Sequence, residues 1–182
     1  YIGRLELSSL ADTVQPDIDH IAIDEHDILY ALPASNNRIL KIDAQGQYLG
    51  EFAILMDLGE KDRREVVLGA PRIDSGLLYL PVAVFGVIYV YDLEGGFVRS
   101  IGTQGNNAGE LNFPSAVDVV DQSIVVVVDK HRYFIICFST EGRFLGEFGG
   151  TKDGFFKEQE KLSVKKKDFS ESKGTEVVAW KI

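Results

Sequence analysis

Three observations predict an all-β protein built from serially repeated four-stranded antiparallel sheets. The first is a phrase written three times. "KIDAQGQYLGEF" (41–52), "VYDLEGGFVRSI" (90–101) and "CFSTEGRFLGEF" (137–148) place Gly46, Gly95 and Gly142 at spacings of 49 and 47. Asp43, Asp92 and Ser139 stand three residues before these glycines, and Phe52, Ile101 and Phe148 six after. The second is that each unit holds four short runs rich in β-branched and aromatic residues, separated by Gly, Pro, Asn and Asp. The third is composition: 18 Gly against one Met and one Trp in 182 residues, which favours a turn-rich β chain. Four antiparallel strands repeating every 40–50 residues are the signature of β-propeller blades, which bury by radial packing the face a lone sheet leaves wet.

The elements follow in order. The first strands are "HIAID" (20–24), a degenerate "APRID" (70–74) and "AVDVVD" (116–121). The second are "ILYAL" (28–32), "LLYLP" (77–81) and "SIVVVVD" (123–129). The third are "RILKID" (38–43), "VIYVYD" (87–92) and "FIICFS" (134–139). "QYLGEF", "GFVRSI" and "RFLGEF" supply the fourth. In "QYLGEF", strict alternation sets Tyr48, Gly50 and Phe52 on one side and Leu49 and Glu51 on the other, as in a half-exposed outer strand. "IVVVV" is apolar on both sides and suits a middle strand. The blades are expected at about 15–53, 66–102 and 112–149 of a single domain, 1–182.

The remaining segments are read as closure. "YIGRL" (1–5) repeats the start of "YLGEF" (48–52), so residues 1–7 are expected to complete another blade as its outer strand. "EKLSVKK" (160–166) and "TEVVAWKI" (175–182) are expected strands of a partial last blade over 151–182. That makes about four blades: a small ring, or part of a larger one completed by missing chain or a second copy. The chain opens on Tyr1 without a signal-type segment, as a mature form or a fragment does.

Charge and composition narrow the function. The net charge is −9. Residues 1–150 carry −11 and residues 151–182 carry +2. So acidic a body repels phosphate backbones, and nucleic acid is not an expected partner. The longest uncharged stretch, "SGLLYLPVAVFGVIYVY" (75–91), is shorter than the roughly 20 apolar residues of a membrane helix and carries Pro81 and Gly86, so it reads as two strands and a turn. Cys137 is the only cysteine, which excludes an intrachain disulfide and a cysteine metal cluster. Within "FIICF" it reads as a buried, inert thiol.

The sequence also resembles the NHL-repeat family. "GNNAGELNFPSAVDVVDQSIVVVVD" (105–129) carries Gly105, Gly109, Phe113, Pro114, Asp121 and Asp129 of that pattern, and "SNNRILKID" (35–43) carries Asn36, Arg38, Ile39 and Asp43. The resemblance covers roughly residues 15–150 and implies a propeller, usually six-bladed. This chain departs from that number, with three full units and 34 residues after Phe148. Resemblance to exported bacterial NHL proteins implies an extracytoplasmic location.

Candidate sites are few. "DIDHIAIDEHD" (17–27) holds two His and five acidic residues, but strand alternation divides His20, Ala22 and Asp24 from Asp19, Ile21 and Ile23, and no calcium-loop spacing is present. Asp24, Asp74 and Asp121 recur at turn positions. "GTQGNNAGE" (102–110) lacks the G-K-[S/T] ending of a phosphate loop and reads as an inter-blade loop. "KHRYF" (130–134) joins strands two and three of the third unit; Asp129 opens that loop, and Phe134 takes the place of Arg38. Lys130, His131, Arg132 and Tyr133, with Asn36, Asn37 and Arg38, form the expected binding surface, on the face carrying 33–38, 82–86 and 129–134. Arg and Tyr are favoured in interface hot spots. No catalytic triad motif and no metal motif is present, so no catalytic residue, metal ligand or cofactor is assigned. The reading is a non-enzymatic binding or scaffolding propeller contacting a protein or glycan. The alternative is a calcium- or zinc-dependent lactonase- or lyase-type enzyme with ligands near the axis, and RNA binding through Lys130–Arg132 is a weaker third.

Overall fold

The computed structural model describes residues 17–33, 37–55 and 66–150. The expected strands at 1–7, 160–166 and 175–182, and Asn36, lie outside the described residues. Three four-stranded antiparallel sheets follow one another along the chain, each in sequence order. Blade 1 is β1 (Ile18–Ile23), β2 (Leu29–Pro33), β3 (Arg38–Ile42) and β4 (Tyr48–Ala53). Blade 2 is β5 (Arg72–Asp74), β6 (Leu77–Val82), β7 (Val87–Asp92) and β8 (Phe97–Ile101). Blade 3 is β9 (Pro114–Val120), β10 (Ile124–Asp129), β11 (Phe134–Ser139) and β12 (Phe144–Gly149). The degenerate run at 70–74 yields the shortest strand, three residues long. β1 lies beside β5, and β5 beside β9, so the first strand of each blade is innermost.

Blades bury apolar rows between them. Tyr30, Leu32, Ile39 and Phe52 of blade 1 pack on Ile73, Leu78, Leu80 and Tyr91 of blade 2. Tyr79, Ile88, Val90 and Ile101, on the other side of blade 2, pack on Val117, Val125, Val127, Ile136 and Phe138 of blade 3. Each blade thus has a rear face toward the preceding blade and a forward face toward the next. The inter-blade seam also carries hydrogen bonds: Ala70 N–H donates to the Ser115 carbonyl at 2.9 Å, and His20 Nε2 lies 3.2 Å from the Leu68 carbonyl.

The repeated glycine phrase has one local mechanism. The Asp43 Oδ1 accepts the N–H of Gln45 and Gln47 at 2.9 and 2.8 Å, and Asp92 Oδ1 accepts those of Glu94 and Gly96 at 3.0 and 2.7 Å. The glycine then turns back to donate to the same residue's carbonyl, at φ of 85°, 94° and 91° for Gly46, Gly95 and Gly142. That left-handed backbone suits glycine, and Asx side chains are the natural closers of such turns. The Ser139 Oγ, on a shorter side chain, accepts from Arg143 N–H at 3.2 Å. Asp92→Ala is therefore expected to cost about 1–2 kcal/mol, on the scale of a lost cap, and Ser139→Ala clearly less. Urea unfolding midpoints of the two variants check this ordering.

One expectation about the outer strands needs correction. Tyr48 packs with the rear-face cluster of Ala31, Leu40 and Ile42, whereas Phe52 belongs to the forward-face core, so the two do not share a side. A bulge is the reason. The β3–β4 register runs Lys41↔Gly50, then Ile42↔Tyr48, leaving Leu49 extra. One extra residue reverses the alternation beyond it. The same shift occurs between Val90 and Tyr91 in blade 2 and between Cys137 and Phe138 in blade 3.

Candidate binding surface

In blade 3 the loop between the second and third strands meets the inter-blade loop 102–113 at one end of the sheet, and Asp129 ties the two together. This carboxylate is 1% exposed. It accepts His131 and Arg132 N–H at 3.1 and 3.0 Å within its own loop. It also accepts Asn112 N–H at 2.6 Å and Phe113 N–H at 3.2 Å from the inter-blade loop. Lys130 N–H returns to the Phe113 carbonyl at 3.0 Å. Blades 1 and 2 have Pro33 and Val82 at the matching position, so this clamp belongs to blade 3. In blade 2 the corresponding loop is a single 3-10 turn, Ala83–Phe85, closed by Gly86 in left-handed conformation.

The clamp sorts the "KHRY" side chains. Lys130 and His131 are exposed, and the His131 ring lies 4.4 Å from the Phe113 ring at a 31° tilt. Tyr133 is 74% exposed and held at φ 59°, an unusual backbone for an aromatic residue. Its carbonyl accepts Gly150 N–H at 2.7 Å, which fixes the loop exit. Arg132 turns inward: its side chain is 6% exposed, donates from Nη2 to both Glu147 oxygens at 3.0 and 2.9 Å, and donates from Nη1 to the Glu110 carbonyl. Its guanidinium also sits 5.0 Å from the Phe134 ring. Arg132 therefore braces the surface from beneath, while Lys130, His131 and Tyr133 face solvent.

On blade 1, Asn37 is half-buried and its carbonyl accepts Ile54 N–H at 2.8 Å. The exposed Arg38 pairs with Glu51 across β3–β4. Glu51 and Glu147 hold the same place in "LGEF", and each meets an arginine from the loop side. The glutamate thus has a structural use in blades 1 and 3, while blade 2 has Ser100 at its place. Sequence reading did not find Phe113 as the shelf under His131, or Glu147 as the partner of Arg132; both contacts span long separations with no local pattern to mark them.

The opposite end of the sheets carries the first-to-second-strand turns. A cavity of about 300 Å³ lies there between Asp24, Glu25, His26, Arg72, Asp74, Ser75 and Gln122, among others. Asp24 is already engaged, accepting His26 and Ile28 N–H and the Tyr30 hydroxyl. Burial, then the Asp24 hydrogen bond, pushes the Tyr30 phenol far above its ordinary value. Among the described residues, no three His, Cys, Asp or Glu side chains converge as a metal site. Cys137 is half-buried, and burial pushes its thiol up. Among the described residues, no helix is long and apolar enough to cross a membrane.

The fold defines a β-propeller protein, with three described four-stranded blades. No protein-family model matches the sequence, and no curated protein matches it. Solved structures do. The chain is similar to virginiamycin B lyase from Staphylococcus aureus at 12% identity and a TM-score of 0.55, covering 75% of this chain and 42% of that one. It is similar to glutaminyl cyclase from Myxococcus xanthus at 9% identity and 0.52, covering 74% and 51%. It is similar to hydrazine synthase from Kuenenia stuttgartiensis at 18% identity and 0.56, covering 76% and 37%. The chain thus spans about half or less of these structures' length, and at such identities the likeness concerns the fold alone.

Proposed function

We propose that this protein is a non-enzymatic binding or scaffolding propeller of NHL-repeat type, which engages a protein or glycan through the loop face carrying Lys130, His131 and Tyr133. The observation that carries this reading is Tyr133: a large aromatic side chain stands in solvent on a backbone held rigid from both ends. Rigid scaffolds with exposed loop aromatics suit recognition, because an anchored Tyr loses little conformational freedom on binding. Arg38 and Asn37, at the corresponding loop of blade 1, belong to this reading, as does Asn36, which lies outside the described residues. No cofactor is part of this reading. The extracytoplasmic location and a homo-oligomer that completes the ring belong to it as proposals.

Tyr133→Gly separates binding from folding. Glycine adopts φ 59° freely, so the variant is expected to match the parent's unfolding free energy or exceed it by about 0.5–1 kcal/mol. Screening parent and variant against a glycan array and a displayed-peptide library checks the function. Ligands bound by the parent and lost by Tyr133→Gly support it, and ligands retained by the variant overturn it. The alternative is a metal-dependent enzyme of lactonase or lyase type; stoichiometric calcium or zinc in the dialysed protein would favour it.

A further inference from the structure

The forward face of blade 3 has the chemistry of a blade-to-blade interface. By the repeat register, Val126, Val128, Ile135, Cys137 and Phe148 occupy the places that Tyr79, Pro81, Ile88, Val90 and Ile101 hold in blade 2. They correspond in blade 1 to Tyr30, Leu32, Ile39, Lys41 and Phe52. In blade 2 all five positions are buried, Ile88 and Val90 at 0% exposure. In blade 3 none is: Val128 is 41% and Phe148 38% exposed, and the other three are half-buried. None of the five joins a core cluster among the described residues. Cross-strand pairing sets Ala116, Val128, Ile135 and Phe148 in one continuous apolar row. An apolar row of that kind is covered in stable proteins.

We propose that residues 151–182 of this same chain cover that face. Three observations favour this occupant. First, chain order: after β8 the chain passes through the inter-blade loop and supplies β9 and β10, whose side chains seal the forward face of blade 2. Residues 151–182 follow β12 in the same position. Second, charge: residues 151–182 carry +2, against −11 for residues 1–150, so the segment is attracted to the body it follows. Third, pattern: in "EKLSVKK" Leu162 and Val164 alternate with Lys161, Ser163 and Lys165, and in "TEVVAWKI" Val178, Trp180 and Ile182 share one parity. The first is the pattern of a strand buried on one face only, which caps a stack with its polar side outward; the second also carries Val177 and Ala179 on its other parity. A second copy of blade 1 fits less well, because Ala31, Leu40 and Ile42 on its rear face are already buried.

The sequence provides its own reporters. Cys137, on the proposed interface, is the only cysteine, and Trp180, in the proposed cover, is the only tryptophan. In the full, unlabelled 182-residue chain, Trp180 emission is expected to be blue-shifted. Val164→Asp, which places a charge in the seam, is expected to raise the rate of Cys137 reaction with Ellman's reagent about 10-fold or more by local opening. Ser163→Asn, on the polar side and without a change of charge, is expected to leave that rate unchanged. Far-UV circular dichroism identifies a variant that has lost its sheets, and Leu162→Asp provides the same test independently. Solvent-like Trp180 emission, or a Cys137 rate indifferent to Val164→Asp and Leu162→Asp, overturns the proposal. Protection of Cys137 that appears only as protein concentration rises also overturns it and assigns the face to a second copy.

Discussion

Asp129→Ala is expected to destabilise the protein by about 3–5 kcal/mol, the range for removing one side of a buried, charge-based network. The carboxylate accepts four backbone N–H groups from two loops at 1% exposure. Alanine leaves all four donors without their acceptor at once, in a place where water reaches poorly. Asp129→Asn is expected to fall between the two. One amide oxygen can still serve His131 and Arg132, but an NH₂ group then faces the Asn112 N–H, 2.6 Å from the present Oδ2. Denaturant unfolding gives the ranking. Because the same clamp fixes the loop that presents Tyr133, both variants are also expected to weaken any ligand that Tyr133→Gly loses. A stable Asp129→Ala variant, within 1 kcal/mol of the parent, would show that the loops are held by something else.

The second large effect concerns Arg132 and Glu147. Removing one partner strands a charge that is at most 10% exposed, so Arg132→Met alone, or Glu147→Met alone, is expected to cost about 3–5 kcal/mol. The double variant Arg132→Met/Glu147→Met removes both charges and is expected to recover most of that loss, since a buried ion pair is often no better than an apolar pair of similar size. A double-mutant cycle reads the coupling directly. The same cycle at Arg38 and Glu51 is expected to give less than about 1 kcal/mol, because Arg38 is 51% exposed and water screens the pair. Equal couplings in the two blades would contradict the burial argument.

The strands were legible in the sequence because their signal is local. Runs such as "VIYVYD" and "FIICFS" carry β-branched and aromatic residues between turn formers, and β7 and β11 begin and end where those runs do. Blade order was legible because the repeat is, and each turn glycine holds the same backbone in all three units. The bulges were not. A single extra residue at Leu49 leaves the apparent alternation of "YLGEF" intact on paper while it moves Tyr48 to the opposite face from Phe52. "KHRY" stood out by its composition, but whether each side chain points in or out depends on Asp129 and Glu147, and only the fold brings Glu147 to Arg132. Three neighbouring residues thereby come to different surroundings: His131 rests on Phe113, Arg132 is sealed into an ion pair, and Tyr133 stands in solvent.

The shared bulge has a further consequence, for solubility. Among the described residues, each outer strand ends its sheet with an unpaired backbone edge, the kind that invites ribbon growth between molecules. In β4, β8 and β12 the ladder slips at the same place, so no outer edge offers one straight, unbroken row of donors and acceptors to a neighbour. A stacked chain would meet a kink within a few residues of starting. The repeat thus copies into every unit, along with the strand itself, a brake on fibril formation.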